Sequence, residues 1–378
     1  MKILFTGGGS GGHFYPIIAV AEAVYERSKE RKLLPPQFFY MAPDPYNTRM
    51  LFDNEIKFLP VPAGKIRRYF SLQNFTDLFK TAYGCFSATL TMYSVFPDVV
   101  FGKGGYAAFP ALFAARFLGI PVVIHESDSH PGRVNTWAGK FAQKIALSYP
   151  TAAKYFRAKD RAKIAYTGNP VRRGVAIPLL NGAHEFLHLE TGVPVILVLG
   201  GSLGAMNVND VILEALPELL NRYQVILQTG KANYDEIKQT ATVVLKDHPY
   251  ADRFHPFDYL NDLSMRMAAG AAEIVVSRAG STIFEIAAWA KPSIIIPLPH
   301  SISHDQTENA LSYAATGAAM VIEESNLHAH ILVEEIDRIH SSPAIAGKMR
   351  EQAKAFARLD SAHLIADAII DIALSHEK

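Results

Sequence analysis

His13 follows five glycines and a serine in the run TGGGSGGHFYP, residues 6–16. Glycine at a strand-to-helix turn lets main-chain N–H groups approach an anionic ligand, and the start of the following helix favours negative charge. An imidazole at the same turn has a pKa near neutrality and can take a proton from a hydroxyl. The same residue also serves as a polar helix cap or a packed core histidine. Gly7, Gly9 and Gly12 match the G-x-G-x-x-G spacing of a dinucleotide turn. That reading wants a carboxylate at the end of the second strand to hold a ribose. The first candidate, Asp44, lies beyond FFYMAP. No G-K-[ST] follows either glycine run, so a P-loop fails.

A second run, LGGSLGA at 199–205, repeats the pattern with Gly201, Ser202 and Gly204, and GKGGY at 102–106 forms a third tight turn through Gly104, Gly105 and Tyr106. Each is a possible phosphate cradle and each is also simply a turn. Glu126, Asp128 and Asn135 sit near a strand end, where open α/β sheets bind ligands, and offer another base. HESDSH at 125–130 misses the zinc spacing H-E-x-x-H by one residue, and His300 and His304 have no obvious third ligand, so no metal is expected. Cys85 has no nearby histidine and reads as packing; no G-x-S-x-G elbow occurs.

The elements that must position these residues alternate between short β-rich runs and amphipathic stretches. KILFT, FFYM, KFLPV, DVVFG, PVVIH and KIALS are separated by helices near 16–30 and 72–95. The pattern restarts after residue 190 with VPVILVLGG, YQVILQTG, EIVVSRAG, PSIIIPLP and AAMVI. Strands apolar on both faces require a parallel sheet covered by helices, so two doubly wound α/β domains are expected. A chain of 378 residues also exceeds one ordinary core. The expected boundaries are 1–168 and 169–357, with a C-terminal helix at about 358–378 packing back on the first domain. A net charge of +1 provides no global field for nucleic acid. One cysteine, no signal peptide and no spanning segment lead to an expected location on the cytoplasmic side.

Seven ordered motifs carry a resemblance through most of the chain. They are TGGGSGGHFYP, GKGGYAAFP (102–110), IPVVIHESDSHPGRVN (120–135), TGNPVR (167–172), LGGSLGAMNVN (199–209), SRAGSTIFEIAAWAKPSIIIPLP (277–299) and HDQTENA (304–310). Together they resemble the MurG family of bacterial glycosyltransferases. The resemblance implies a GT-B fold of two Rossmann-like domains facing a cleft. It implies inverting transfer of N-acetylglucosamine from UDP-GlcNAc to lipid I, giving lipid II for peptidoglycan, with no cofactor or tightly bound metal.

The resemblance also assigns residues. His13 would be the catalytic base, with Ser10, Gly11, Gly12 and Asp128 toward the donor sugar. Ser202 would cradle the donor diphosphate with Arg172 as a cation. Glu285 would take the ribose hydroxyls, Gln306 the sugar and Leu260 the uracil, with Ser281 and Thr282 beside them. Gly104, Gly105, Tyr106 and Asn135 would meet the acceptor. The family carries asparagine where this chain has Asp128, and the stretch 278–285 is one residue shorter than the family pattern.

KIRRYFSLQNFTDLFK at 65–80 sets Arg67 and Arg68 among Ile66, Phe70, Phe75 and Phe79. Basic residues bordering aromatic ones suit either a core helix with a solvated rim or anchoring at an anionic bilayer surface. An acceptor on a polyprenyl chain favours the second, peripheral on the inner face of the cell membrane. The competing functions are transfer to another lipid acceptor, a nicotinamide-dependent oxidoreductase and a sugar-nucleotide sensor without a base.

Overall fold

The computed structural model describes residues 1–65, 73–200, 205–299 and 304–375. The chain forms two compact units, Met1–Arg172 with Arg358–Lys378, and Arg173–Ala357.

The first unit is built on seven parallel strands: β1 (Lys2–Thr6), β2 (Gln37–Ala42), β3 (Ile56–Pro60), β4 (Val99–Gly102), β5 (Val122–Glu126), β6 (Lys144–Leu147) and β7 (Ile164–Tyr166). Their order is β3-β2-β1-β4-β5-β6-β7. The chain winds outward from β1 to β3, then crosses back to lay β4 on the other side of β1. Thr6 pairs with Gly102, so the segments leaving β1 and β4 start side by side at the point where the winding reverses. That crevice is where doubly wound sheets bind ligands. Strands β4 and β5 are buried along their full length, as a sheet covered on both faces requires.

The first helix runs Gly11–Glu30 and begins within the glycine run, not near residue 16, so Pro16 falls inside it. Proline has no N–H, which deprives the Gly12 carbonyl of its partner four residues on. One face of this helix buries Ile17, Val20 and Val24 in a core shared with Ile365, Ile369 and Ile370 of the Ser361–Ser375 helix. Arg31 bridges Asp367 and Asp371, both at 2.6 Å, along the rim.

The Gln73–Val95 helix docks through its small residues. A methyl on Gly84 would stand 1.9 Å from the Pro62 carbonyl oxygen. Its outer face exposes Phe75, Phe79, Tyr83, Phe86, Leu90 and Tyr93, spaced three or four residues apart and therefore in one stripe.

The second unit holds β8 (Val195–Leu199), β9 (Gln224–Gln228), β10 (Phe254–Phe257), β11 (Ala272–Arg278), β12 (Ser293–Ile296) and β13 (Ala319–Val321), all parallel, in the order β10-β9-β8-β11-β12-β13. Its winding reverses between β8 and β11, so it repeats the plan of the first unit. Strands β7 and β10 lie outside the expected set. Ile-Ala-Tyr and Phe-His-Pro-Phe are short, lie at sheet edges and lack an apolar alternation, and Pro256 is tolerated because β10 is an edge.

Candidate active site

The segments leaving β1 and β4 interlock. Gly9 has φ +88°, and a methyl there would lie 3.1 Å from Tyr106 Cε1. Gly105 has φ +78°, and a methyl there would meet the Gly8 carbonyl oxygen at 3.0 Å and His13 Nε2 at 3.4 Å. Glycine is therefore required at both for backbone shape and for clearance. Gly104 is held equally close, since a methyl there would come within 2.6 Å of Asn135 Nδ2. The two turns form one surface, with the His13 ring against Gly105.

Ser10 occupies the N-cap position of the Gly11–Glu30 helix but its side chain accepts no capping hydrogen bond. Its Oγ lies 2.9 Å from His13 Nδ1 instead. With Nδ1–H donating to Ser10, the lone pair of the neutral imidazole sits on Nε2, the nitrogen that faces Gly105. Burial, and after it the nearby Lys103 ammonium, lower the His13 pKa from 6.5 to about 4. The ring is thus unprotonated across the physiological range, as a proton acceptor must be.

Lys103, which the motif reading passed over, is 1% exposed and its Nζ makes no hydrogen bond with any described residue. Its stem lies against the glycine run, where a methyl on Gly7 would stand 2.9 Å from Lys103 Cβ. Burial lowers its pKa, against the attraction of Glu126 and Asp128. The available signal was a lysine between glycines at the end of a wholly buried strand.

Glu126 closes β5 and accepts three hydrogen bonds, from Asp128 N at 3.0 Å, Gly132 N at 3.0 Å and Asn135 Nδ2 at 2.9 Å. Burial, then the Asp128 carboxylate, raise its pKa, while the Asn135 and Asp128 N–H donors and Lys103 oppose the rise. Asn135 also donates to the His125 carbonyl at 3.0 Å and is 2% exposed. Both Nδ2 hydrogens are therefore spent on holding the Glu126 loop, while the buried Oδ1 has no hydrogen-bond partner among the described residues and is the amide atom left for the acceptor. His125 is buried, with Nε2 donating to the Gly168 carbonyl at 2.9 Å. Arg172 belongs to the first unit and is also buried, its guanidinium 4.3 Å from the centre of the Tyr15 ring.

In the second unit, Ser281 occupies the N-cap of the Thr282–Trp289 helix at the end of β11, and Glu285 lies in the first turn, where the helix dipole favours a carboxylate. Asn309 donates to the Ala279 carbonyl at 3.2 Å and steadies that turn. Gln306 Oε1 accepts from Leu298 N at 3.1 Å. Leu260 is a correction: it is 2% exposed and packs in the core with Ile283 and Ile286, so its side chain offers no open apolar face to a base. Arg278 pairs with Glu324, a link that sequence reasoning missed because 46 residues separate them. Glu324 lines a cavity of about 400 Å³ with Asn207, Pro297, Leu298, Thr307 and Glu323.

Ser202, with Gly201 and Gly204, lies outside the described residues, as do Ile66, Arg67, Arg68 and Phe70. Phe75 and Phe79 are described, exposed and edge-to-face at 5.0 Å. Among the described residues no three His, Cys, Asp or Glu are grouped to hold a metal ion, and no helix is long and apolar enough to cross a membrane.

Residues 3–147 match the glycosyltransferase family 28 N-terminal domain and residues 195–365 its C-terminal domain. A UDP-N-acetylglucosamine–N-acetylmuramyl-(pentapeptide) pyrophosphoryl-undecaprenol N-acetylglucosamine transferase of Treponema denticola is 35% identical over 374 residues, spanning 94% of this chain and 93% of the relative. The protein of the same name from Legionella pneumophila (strain Paris) is 36% identical over 340 residues, spanning 89% and 88%. The crystal structure of Acinetobacter baumannii MurG superposes with a TM-score of 0.72 at 25% identity, covering 98% of this chain and 99% of that one.

Proposed function

The chain belongs to glycosyltransferase family 28, and on that premise we propose that it moves N-acetylglucosamine from UDP-GlcNAc to N-acetylmuramyl-(pentapeptide) pyrophosphoryl-undecaprenol, the lipid I acceptor, to make lipid II for the bacterial cell wall. Two Rossmann-like parallel-sheet units in one chain are the GT-B architecture. The observation that carries the mechanism is the His13 imidazole with Nδ1 tied to Ser10 and Nε2 facing the interlocked turns.

The acceptor hydroxyl oxygen attacks C1 of the sugar as the C1–O bond to the diphosphate breaks. The hydroxyl proton passes to His13 Nε2, and the bonding pair leaves on UDP. The first unit takes the acceptor, with Gly104, Gly105 and Tyr106 at its pyrophosphate. Ser10, Gly11, Gly12 and Asp128 hold the sugar about to move. The second unit takes the donor: Ser202 at the diphosphate, Glu285 accepting from both ribose hydroxyls, and Ser281, Thr282 and Gln306 around the sugar nucleotide. Arg172 is the cation for the donor diphosphate.

A polyprenyl acceptor must be met at a bilayer. The exposed stripe from Phe75 to Tyr93 supports peripheral binding there, on the inner face of the cell membrane, with the basic run at 65–68 as its anionic-lipid contact. The test is transfer of radiolabelled N-acetylglucosamine to purified lipid I. Product with lipid I and none with diacylglycerol supports the assignment; NADH binding without UDP-GlcNAc binding would overturn it.

A further inference from the structure

A second cavity in the first unit, of about 350 Å³, is lined by His130, Arg133, Thr136, Trp137, Lys140 and Tyr155. It lies beside the Glu126 loop. That loop leaves β5 at Glu126, is tied back by Gly132 N–H and continues directly into Arg133. The helix that lines the cavity also carries Asn135, which packs against Gly104 of the turn that meets His13, and this ties the cavity wall to the site of the proposed transfer.

Its walls are aromatic and two cations stand at them. The His130 and Tyr155 rings are 4.4 Å apart. Trp137 is clamped between Phe109 at 5.0 Å and Phe141 at 4.9 Å. Arg133 and Lys140 are exposed, and no described carboxylate pairs with either. The surrounding chain reinforces their sign. Residues 129–163 contain eight Lys and Arg against one acid, Asp160, a local excess of +7 in a chain whose total is +1. Asp160 is itself taken by Arg157 and Lys163. Aromatic walls with two cations suit an extended ligand that carries carboxylates.

We propose that this cavity is the subsite for the peptide of the acceptor, with Arg133 and Lys140 receiving a peptide carboxylate and Trp137 and Tyr155 packing on the peptide chain. The assignment rests on the transfer reading above. In that acceptor the peptide and the attacked hydroxyl belong to one muramyl residue, so the peptide must leave the reaction centre within a sugar's width of it. The loop between Glu126 and Arg133 spans that step. The subsite makes the enzyme selective for peptide-bearing acceptors.

The test measures binding apart from turnover. The chain has two tryptophans, and Trp289 is buried, so titration with soluble N-acetylmuramyl-pentapeptide reports through Trp137 fluorescence. The expected result is a saturable change in the wild type, weakened about tenfold or more in Arg133→Gln/Lys140→Gln and lost when the peptide carboxylates are amidated. Transfer assays of the same double variant should show a raised KM for the full acceptor, with kcat and the donor KM within about twofold of the wild type. Equal binding of the amidated peptide overturns the proposal. So does a variant whose only defect is weaker binding to anionic vesicles, which would make the patch a lipid contact. Failure of the wild type to transfer at all, with peptide binding intact, would sink the functional reading and leave the subsite standing.

Discussion

Ser10 Oγ and His13 Nδ1 are 2.9 Å apart, and the hydroxyl that would ordinarily cap the Gly11–Glu30 helix is spent on the imidazole. An uncapped N-terminus is less stable by about 1 kcal/mol, so this bond is maintained at the helix's expense. Its effect is to fix the orientation of the ring. His13→Ala should cut kcat by about 10²–10⁴-fold, the usual worth of a general base, with donor KM little changed. Ser10→Ala should lose less, about tenfold, because the ring remains and only its orientation is loosened. Steady-state UDP release measures both; unchanged turnover in His13→Ala would remove it from the reaction.

The acid limb of kcat/KM reports the base in the free enzyme. His13 is held at about 4, chiefly by burial, so wild-type activity should persist as pH falls through the ordinary histidine range and drop only near pH 4. Lys103→Met removes the second cause of that depression and should move the limb upward, short of 6.5. The stability consequence has a definite sign. The unfolded chain protonates His13 below 6.5 while the folded chain resists until about 4. Stability is therefore fully present above 6.5 and is lost as pH falls through that window.

Asn135→Ala should destabilise the first unit by about 1–3 kcal/mol, since it strips a donor from a buried carboxylate and leaves the His125 carbonyl with one partner fewer. Urea unfolding followed by circular dichroism checks this. An effect on acceptor KM alone, with stability intact, would assign Asn135 to binding only.

Glu285→Gln keeps the shape of the side chain but weakens two charge-assisted acceptor bonds to a ribose. UDP affinity should fall about tenfold or more by calorimetric titration, without loss of fold. Retained affinity would place the ribose elsewhere.

Phe79→Ser/Phe86→Ser removes apolar area from the exposed stripe and should weaken flotation with anionic vesicles by about tenfold, while transfer to a soluble short-chain acceptor persists. Undiminished flotation would assign the stripe to another contact.

Sequence reading reached the doubly wound plan because the central strands are continuous apolar runs, which only a covered parallel sheet can bury. It missed β7 and β10 because edge strands of three or four residues carry no such run. It placed the first helix start late because glycines and Pro16 are poor helix formers, whereas a helix of this length is fixed by the burial of Ile17, Val20 and Val24. At the site, His13 was legible from its glycine setting. Lys103 was not: only the tertiary placement of the β4 segment over Gly7 distinguishes a buried cation from a surface one. The tie of Asn135 to Glu126 was hidden for the same reason, since it appears only when the loop closes on itself.

The close fit of Gly9 on Tyr106 and of Gly8 on Gly105 ties together two segments that are far apart in the chain. Gly9 and Gly105 both hold a positive φ, and a side chain on Gly105 would also meet a main-chain oxygen, so a bulkier residue at either is rejected whether or not the other turn changes. A library that randomises both turns at once should therefore return glycine at these two positions in every active clone.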